Sequence, residues 1–337
     1  DDMRGFSIGD AVSDDIVLED GTSGLTNVGN NGSSSDFVLY LRQIADVTVN
    51  SVDLTRSGGS QFGGGIRVEN GNGNKTVSLT NNSVGNRRTG IYISGGSDYT
   101  LTGNTLTGSG QNDGEPALYL NGITAGSLPG GLSVSGNTFG GTNANSAIRF
   151  ENLKDIVIGD ASVSGRNVTL EDGTSGLSTV GNNATSNETV LLFSNVANSS
   201  INNVDLTRSG GTQLGRGMYV ANGNAAYPFS ITNCAVGNRR TGIYLSGGRD
   251  FTVQNNTLTG SGNNATEPAL YLSFLTVNNN LLINGNTFGG SNFHTGIRVE
   301  STSDLLISDG TVSGTHLGVT TANGLGNATG YALYLAN

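Results

Sequence analysis

The segment Val52-Asp53-Leu54-Thr55-Arg56-Ser57-Gly58-Gly59 returns as Val204-Asp205-Leu206-Thr207-Arg208-Ser209-Gly210-Gly211, an offset of 152 positions. The offset holds for Val84-Gly85-Asn86-Arg87-Arg88-Thr89-Gly90-Ile91-Tyr92, repeated from Val236 to Tyr244, and for Glu115 to Leu120, repeated from Glu267 to Leu272. Gly136-Asn137-Thr138-Phe139-Gly140-Gly141 returns at Gly285 to Gly290 with the offset reduced to 149, so a loop of the second copy is three residues shorter. Near-identity over so long a period is the signature of a repeat architecture, in which each unit buries its apolar face only against its neighbours. The chain therefore reads as one body over 1–337, made of a first unit at 14–165, a second at 166–314 and the start of a third at 315–337.

Within each unit a finer period aligns Leu39-Tyr40-Leu41, Ile66-Arg67-Val68, Ile91-Tyr92-Ile93, Leu118-Tyr119-Leu120 and Ile148-Arg149-Phe150. Each triplet is a strand with its outer pair facing inward and its centre facing out. A second strand family follows, with Val47-Thr48-Val49-Asn50, Val77-Ser78-Leu79, Leu101-Thr102-Gly103-Asn104 and Leu132-Ser133-Val134. Composition fits a stack of such short strands: 54 Gly, 4 Pro, no Trp and 12% charged residues, with Val, Ile and Leu recurring between Gly and Asn. The expected fold is all-β, a right-handed parallel β-helix of about thirteen coils. At ~4.8 Å per layer it would be a rod roughly 60 Å long. Asn50, Asn82, Asn104, Asn137, Asn202, Asn256 and Asn286 precede the same apolar turn position and are expected to form an Asn ladder, since Asn tolerates left-handed turns and stacked amides satisfy one another. Cys234, the single cysteine, falls near that register and reads as a buried small side chain rather than a reactive thiol.

Gly90-Ile91-Tyr92-Ile93-Ser94-Gly95-Gly96 and Gly103-Asn104-Thr105-Leu106-Thr107-Gly108-Ser109-Gly110 resemble the degenerate repeat of the pectin-lyase-like superfamily of right-handed parallel β-helices. The resemblance covers nearly the whole chain. It implies a fold, and it leaves polysaccharide lyases, hydrolases and epimerases open beside surface and adhesin repeats. Hydrolysis needs two carboxylates converging on a sugar, and the superfamily's lyases imply acids around calcium with a basic proton acceptor. The outward acids Glu69, Glu151 and Glu300 lie several coils apart, and Asp53 and Asp205 are expected to face Gly85 and Gly237 in the next coil. His294 and His316 lie in loop-like stretches and read as solvated or core-satisfied. No cofactor is expected. Weak calcium binding could occur only at the duplicated acid pairs Glu19-Asp20 and Glu171-Asp172.

The remaining charges read as structural: Arg88 with Glu115, and Arg240 with Glu267, are expected to pair between neighbouring coils as exposed, weak bridges. A net charge of -10 with no basic stripe argues against nucleic acid. No apolar run approaches the ~20 residues of a membrane span, and Asp1-Asp2-Met3-Arg4 lacks signal-peptide features, so the chain reads as processed or excerpted. The outward centre of the first strand family reads Tyr40, Arg67, Tyr92, Tyr119, Arg149, Leu192, Tyr219, Tyr244, Tyr271, Arg298 and Tyr334, which places seven of the ten tyrosines in one line. Such a row stabilises an exposed sheet by cross-strand stacking, and it could also bind sugar rings or a surface protein. Neither end shows a polar cap, so partners are expected end to end: another copy, or further repeats of a longer chain. Asn167, Asn183, Asn187, Asn264 and Asn327 begin sequons compatible with export. The reading is an extracellular, non-enzymatic repeat of a surface, adhesin or filament-forming protein, with a polysaccharide-active β-helix enzyme as the alternative.

Overall fold

In the computed structural model the first strand family forms a continuous parallel column: each apolar-x-apolar triplet pairs in register with the triplet one coil on, from Leu39 with Ile66 to Ile297 with Leu333. The structure describes residues 4–9, 16–18, 24–29, 35–58, 60–71, 76–123, 131–163, 165–182, 188–275, 281–290, 292–302, 316–325 and 331–336. All 22 strands belong to one parallel sheet, so the chain is a parallel β-helix solenoid. No helix among the described residues is long and apolar enough to cross a membrane. Inward Val, Ile, Leu and Phe from every coil make a single core that runs along the axis, with Phe150 stacked on Phe193 at 5.0 Å and Phe193 edge-on to Phe229.

The two columns hold different numbers of layers. Among the described residues the Tyr/Arg column has eleven strands, whereas the second column has thirteen. The difference arises at the unit junction. Val157–Gly159 pairs directly with Ser199–Asn202 of the next coil, and the chain then comes back to lay Val168–Thr169 between Val157–Gly159 and Leu132–Ser135. Arg4–Gly9 and Ile16–Val17 repeat this inversion at the start of the first unit. On the neighbouring side the inserted layer is not a strand, for it ends in a short 3-10 turn, Leu177–Thr179, matched by Leu25–Asn27.

A 3-10 turn leaves carbonyls without partners. Arg239 supplies the donors: its Nε donates to Leu206 O at 2.9 Å, Nη1 to Val180 O at 2.6 Å and Nη2 to Leu177 O at 3.1 Å. Arg87 does the same to Leu54, Val28 and Leu25. Both are fully buried, and burial pulls their guanidinium pKa values down to about 9 and about 10, with Arg208 and Arg56 adding repulsion.

The Asn ladder is present with two corrections. Asn82 donates to Asn104 and Asn104 to Asn137, while Asn256 donates to Asn286. Each Nδ2 also donates to a carbonyl of the preceding coil. Asn50 and Asn202 are not rungs: they pair with Thr80 and Thr232, two positions before the ladder, and accept hydrogen bonds from side chains near the surface. The left-handed residue is the one before each rung, among them Asn81, Gly103, Asn233 and Gly285. Cys234 occupies the rung equivalent to Asn82, buried, with its thiol pushed up to about 12 by desolvation. The third strand of the second family is also shifted, because Tyr99, not Leu101, faces Val77. Tyr99 is buried and its hydroxyl donates to Gly95 O.

Candidate binding surface

Register alone puts the outward line together: Tyr40 pairs with Arg67, Arg67 with Tyr92, Tyr92 with Tyr119, Tyr119 with Arg149, Arg149 with Leu192, Leu192 with Tyr219, and so through Tyr244, Tyr271 and Arg298 to Tyr334. The rings stack where tyrosines adjoin. Tyr219 and Tyr244 lie 4.7 Å apart at 7°, Tyr244 and Tyr271 4.4 Å apart at 11°, and Tyr92 meets Tyr119 edge-on at 4.9 Å. Leu192 divides the line into two halves and is itself buried.

A local motif recurs wherever an arginine enters. Arg67, Arg149 and Arg298 each bridge the glutamate two residues on, Glu69, Glu151 and Glu300. The tyrosine of the coil before, Tyr40, Tyr119 or Tyr271, donates its hydroxyl to that same glutamate. Each guanidinium also lies about one ring-stacking distance from a neighbouring tyrosine, as with Arg149 over Tyr119 at 4.9 Å and Arg298 over Tyr271 at 5.3 Å. Desolvation and the glutamate hydrogen bond push the Tyr271 phenol up to about 12. The Glu300 carboxyl is held below its ordinary range, chiefly by the Tyr271 hydrogen bond. Much of the polar chemistry of the stripe is thus satisfied inside the stripe, and what it offers a partner is ring surface, most of all Tyr40, which is 51% exposed.

The halves reach this arrangement differently. In the first unit Arg67 lies over Phe37, Tyr40 and Tyr92, and Phe37 fills the space above Gly64. In the second unit Tyr219 stands at the Arg67 position, Arg216 at the Gly64 position and Thr189 at the Phe37 position. The Arg216 guanidinium lies over Tyr219 at 4.6 Å and Tyr244 at 5.0 Å. Asp113 closes the site by accepting from the Thr189 backbone at 2.6 Å and its hydroxyl at 2.8 Å. Burial raises the Asp113 pKa against those hydrogen bonds.

The other candidates fall as follows. Glu69, Glu151 and Glu300 stay apart, each opposite serine, asparagine, alanine or arginine. Asp53 faces Ser83 and Asp205 faces Ala235, not the glycines expected, because the glycines lie two residues further on. Acids do converge at the unit junction, which sequence spacing concealed. Asp172 accepts from the Asp205 backbone at 2.8 Å and shares a hydrogen bond with Asp160. Its pKa rises to about 6, through desolvation first and the neighbouring acids second. Among the described residues no group of three His, Cys, Asp or Glu is placed to hold a metal ion. Glu19, Asp20 and the side chain of His316 lie outside the described residues. His294 sits beside Thr295 Oγ1 at 2.9 Å.

Two expectations about surface groups are corrected. The Arg88–Glu115 and Arg240–Glu267 bridges form, but they are bidentate and partly buried rather than exposed, and neighbouring asparagines also donate to the glutamates. Asn167 is buried and accepts from the Val157 backbone, so it is not an accessible sequon. Asn183, Asn187 and Asn327 lie outside the described residues. Comparison with known proteins gives no match among family models, curated proteins or solved structures.

Proposed function

We propose that this chain is a non-enzymatic structural repeat of an extracellular surface, adhesin or filament-forming protein. The observation that carries the reading is the stripe, where arginine, glutamate and tyrosine are spent on one another and leave a rigid row of rings. Such a row suits a partner that docks by ring contact, a glycan or another protein surface. The outermost strands among the described residues leave Ile16, Val17, Tyr331 and Leu335 exposed, which suits further repeats or a second copy stacked end to end.

The alternative, a polysaccharide-active enzyme, draws on Asp160 and Asp172, whose pKa values are pushed in opposite directions as in an acid and base pair. Incubation with neutral and acidic polysaccharides separates the two readings. The structural reading expects no new reducing ends and no unsaturated products. Turnover that disappears in Asp172→Asn would replace it with the enzymatic one.

A further inference from the structure

We infer that the stacked tyrosines of the second unit form a one-electron oxidation site, in which Tyr271 keeps the radical and Glu300 keeps its proton. This chemistry goes beyond docking and does not depend on what the stripe binds.

The stack collects the oxidising equivalent. Tyr219, Tyr244 and Tyr271 lie ring over ring at 4.7 and 4.4 Å, with interplanar angles of 7° and 11°. Offset rings this close share π overlap, so an electron vacancy made on one of them passes to the others.

The proton decides where the vacancy stays. A phenol that loses an electron becomes a strong acid, and it persists as a neutral radical where a base lies within hydrogen-bond reach. Tyr271 has that base, since its hydroxyl donates to Glu300 Oε2. Arg298 donates to the same oxygen, from Nη2 at 2.8 Å and Nε at 3.1 Å, and helps to hold the carboxyl ionised. Tyr219, by contrast, is hydrogen-bonded to the neutral Ser246. The neighbouring cations favour the same ring. Arg216 lies over Tyr219 at 4.6 Å and Tyr244 at 5.0 Å, where its charge opposes a vacancy. The Arg298 charge, 5.3 Å from the Tyr271 ring, is balanced by Glu300.

An outer-sphere metal oxidant, such as a ruthenium(III) polypyridyl complex, takes one electron from the stack and becomes ruthenium(II). The Tyr271 O–H bond breaks, the proton passes to Glu300 Oε2, and a neutral phenoxyl radical remains. A one-electron donor such as ascorbate returns the electron while Glu300 returns the proton, which regenerates both side chains.

The first unit separates the base from the stack. Tyr119 donates to Glu151 and Tyr40 to Glu69, but Tyr119 meets Tyr92 edge-on at 87°, and the in-register neighbour of Tyr40 is Arg67. These two tyrosines therefore serve as internal controls.

The test is flash photolysis of the whole chain with tris(bipyridyl)ruthenium(II) and persulfate, with less oxidant than protein. Phenoxyl yield is read by optical absorption and electron paramagnetic resonance, and circular dichroism checks that each variant is folded. The wild type should give a phenoxyl signal, and Tyr271→Phe, Glu300→Gln and Tyr244→Leu should each lower its yield at least about threefold. Tyr40→Phe, Tyr119→Phe and Glu151→Gln should leave it near the wild-type level. Three results overturn the inference: no phenoxyl signal, a yield unchanged by Glu300→Gln or Tyr244→Leu, or Tyr40→Phe or Tyr119→Phe lowering it as far as Tyr271→Phe.

Discussion

The two units share a backbone and differ in how they fill it. Three features recur unchanged: the buried arginine over the 3-10 turn, the bidentate Arg–Glu bridge and the lower rungs of the Asn ladder. All satisfy buried or half-buried polar groups. The stripe, by contrast, exchanges its parts: Phe37, Gly64 and Arg67 of the first unit become Thr189, Arg216 and Tyr219. A guanidinium ends up over the rings in both, delivered from a different strand position. The contrast teaches that main-chain satisfaction at the unit junction is fixed, while the surface row needs only a cation among rings.

The largest break in that comparison should come from the invariant arginines. Arg239→Met leaves the carbonyls of Val180 and Leu206 without this donor and Leu177 O with the Val180 N–H alone, and Arg87→Met does likewise in the first unit. Each should cost about 3–5 kcal/mol in urea denaturation, from loss of charged hydrogen bonds in the interior. A loss below about 1 kcal/mol would show that the junction does not depend on them.

The exchangeable stripe makes a smaller and more pointed prediction. Arg216→Gly alone should destabilise by about 1–2 kcal/mol, through the lost cation over Tyr219 and Tyr244 and the loss of a neighbour for Asp113. Adding Tyr219→Arg and Thr189→Phe rebuilds the first unit's arrangement and should recover most of that loss. Additive losses in the triple variant would sink the idea of compensated exchange.

At the first rung of the ladder the units differ by one residue, and Cys234→Asn should make them alike. Asn82 accepts from the Val52 backbone and donates to Val49 O, bonds a thiol makes only weakly. The change should raise stability by about 1 kcal/mol, and Asn82→Cys should lower it by a similar amount. The wild-type thiol should stay inert to alkylation at pH 8 until the chain unfolds.

The smallest effect concerns pH. The Asp172 pKa is raised in the folded state to about 6, so the native chain binds more protons there than the unfolded chain, and stability falls as pH rises from about 4 to 6. Asp160 is shifted down and acts in the opposite sense, and Asp172 is exposed to solvent. The net change should be no more than about 1 kcal/mol. Asp172→Asn should flatten the slope, which thermal melts across this range would detect.

Much of this molecule is legible in its sequence because the apolar-x-apolar triplets set the register, and register fixes which residues stand in line. Tyr40 through Tyr334 follow from that alone. The buried Arg87 is not legible, since beside Arg88 it reads as one of a surface pair, and only the 3-10 turn two coils away explains it. The junction inversion is hidden because Ile16–Val17 and Val168–Thr169 are two residues long, too short to show a period. Asp160 and Asp172 meet only through that inversion. Tyr99 is missed for a different reason: an aromatic with a polar tip does not continue the Val, Ile and Leu pattern, so the strand reads as starting at Leu101, while in the fold Tyr99 faces Val77 and its hydroxyl donates to Gly95 O.

The most direct test of the account is negative-stain imaging of the purified chain across a concentration series. Thirteen layers at ~4.8 Å predict rods roughly 60 Å long that join end to end as concentration rises. Compact round particles would contradict the solenoid, and isolated rods at every concentration would contradict a role as a stacking repeat.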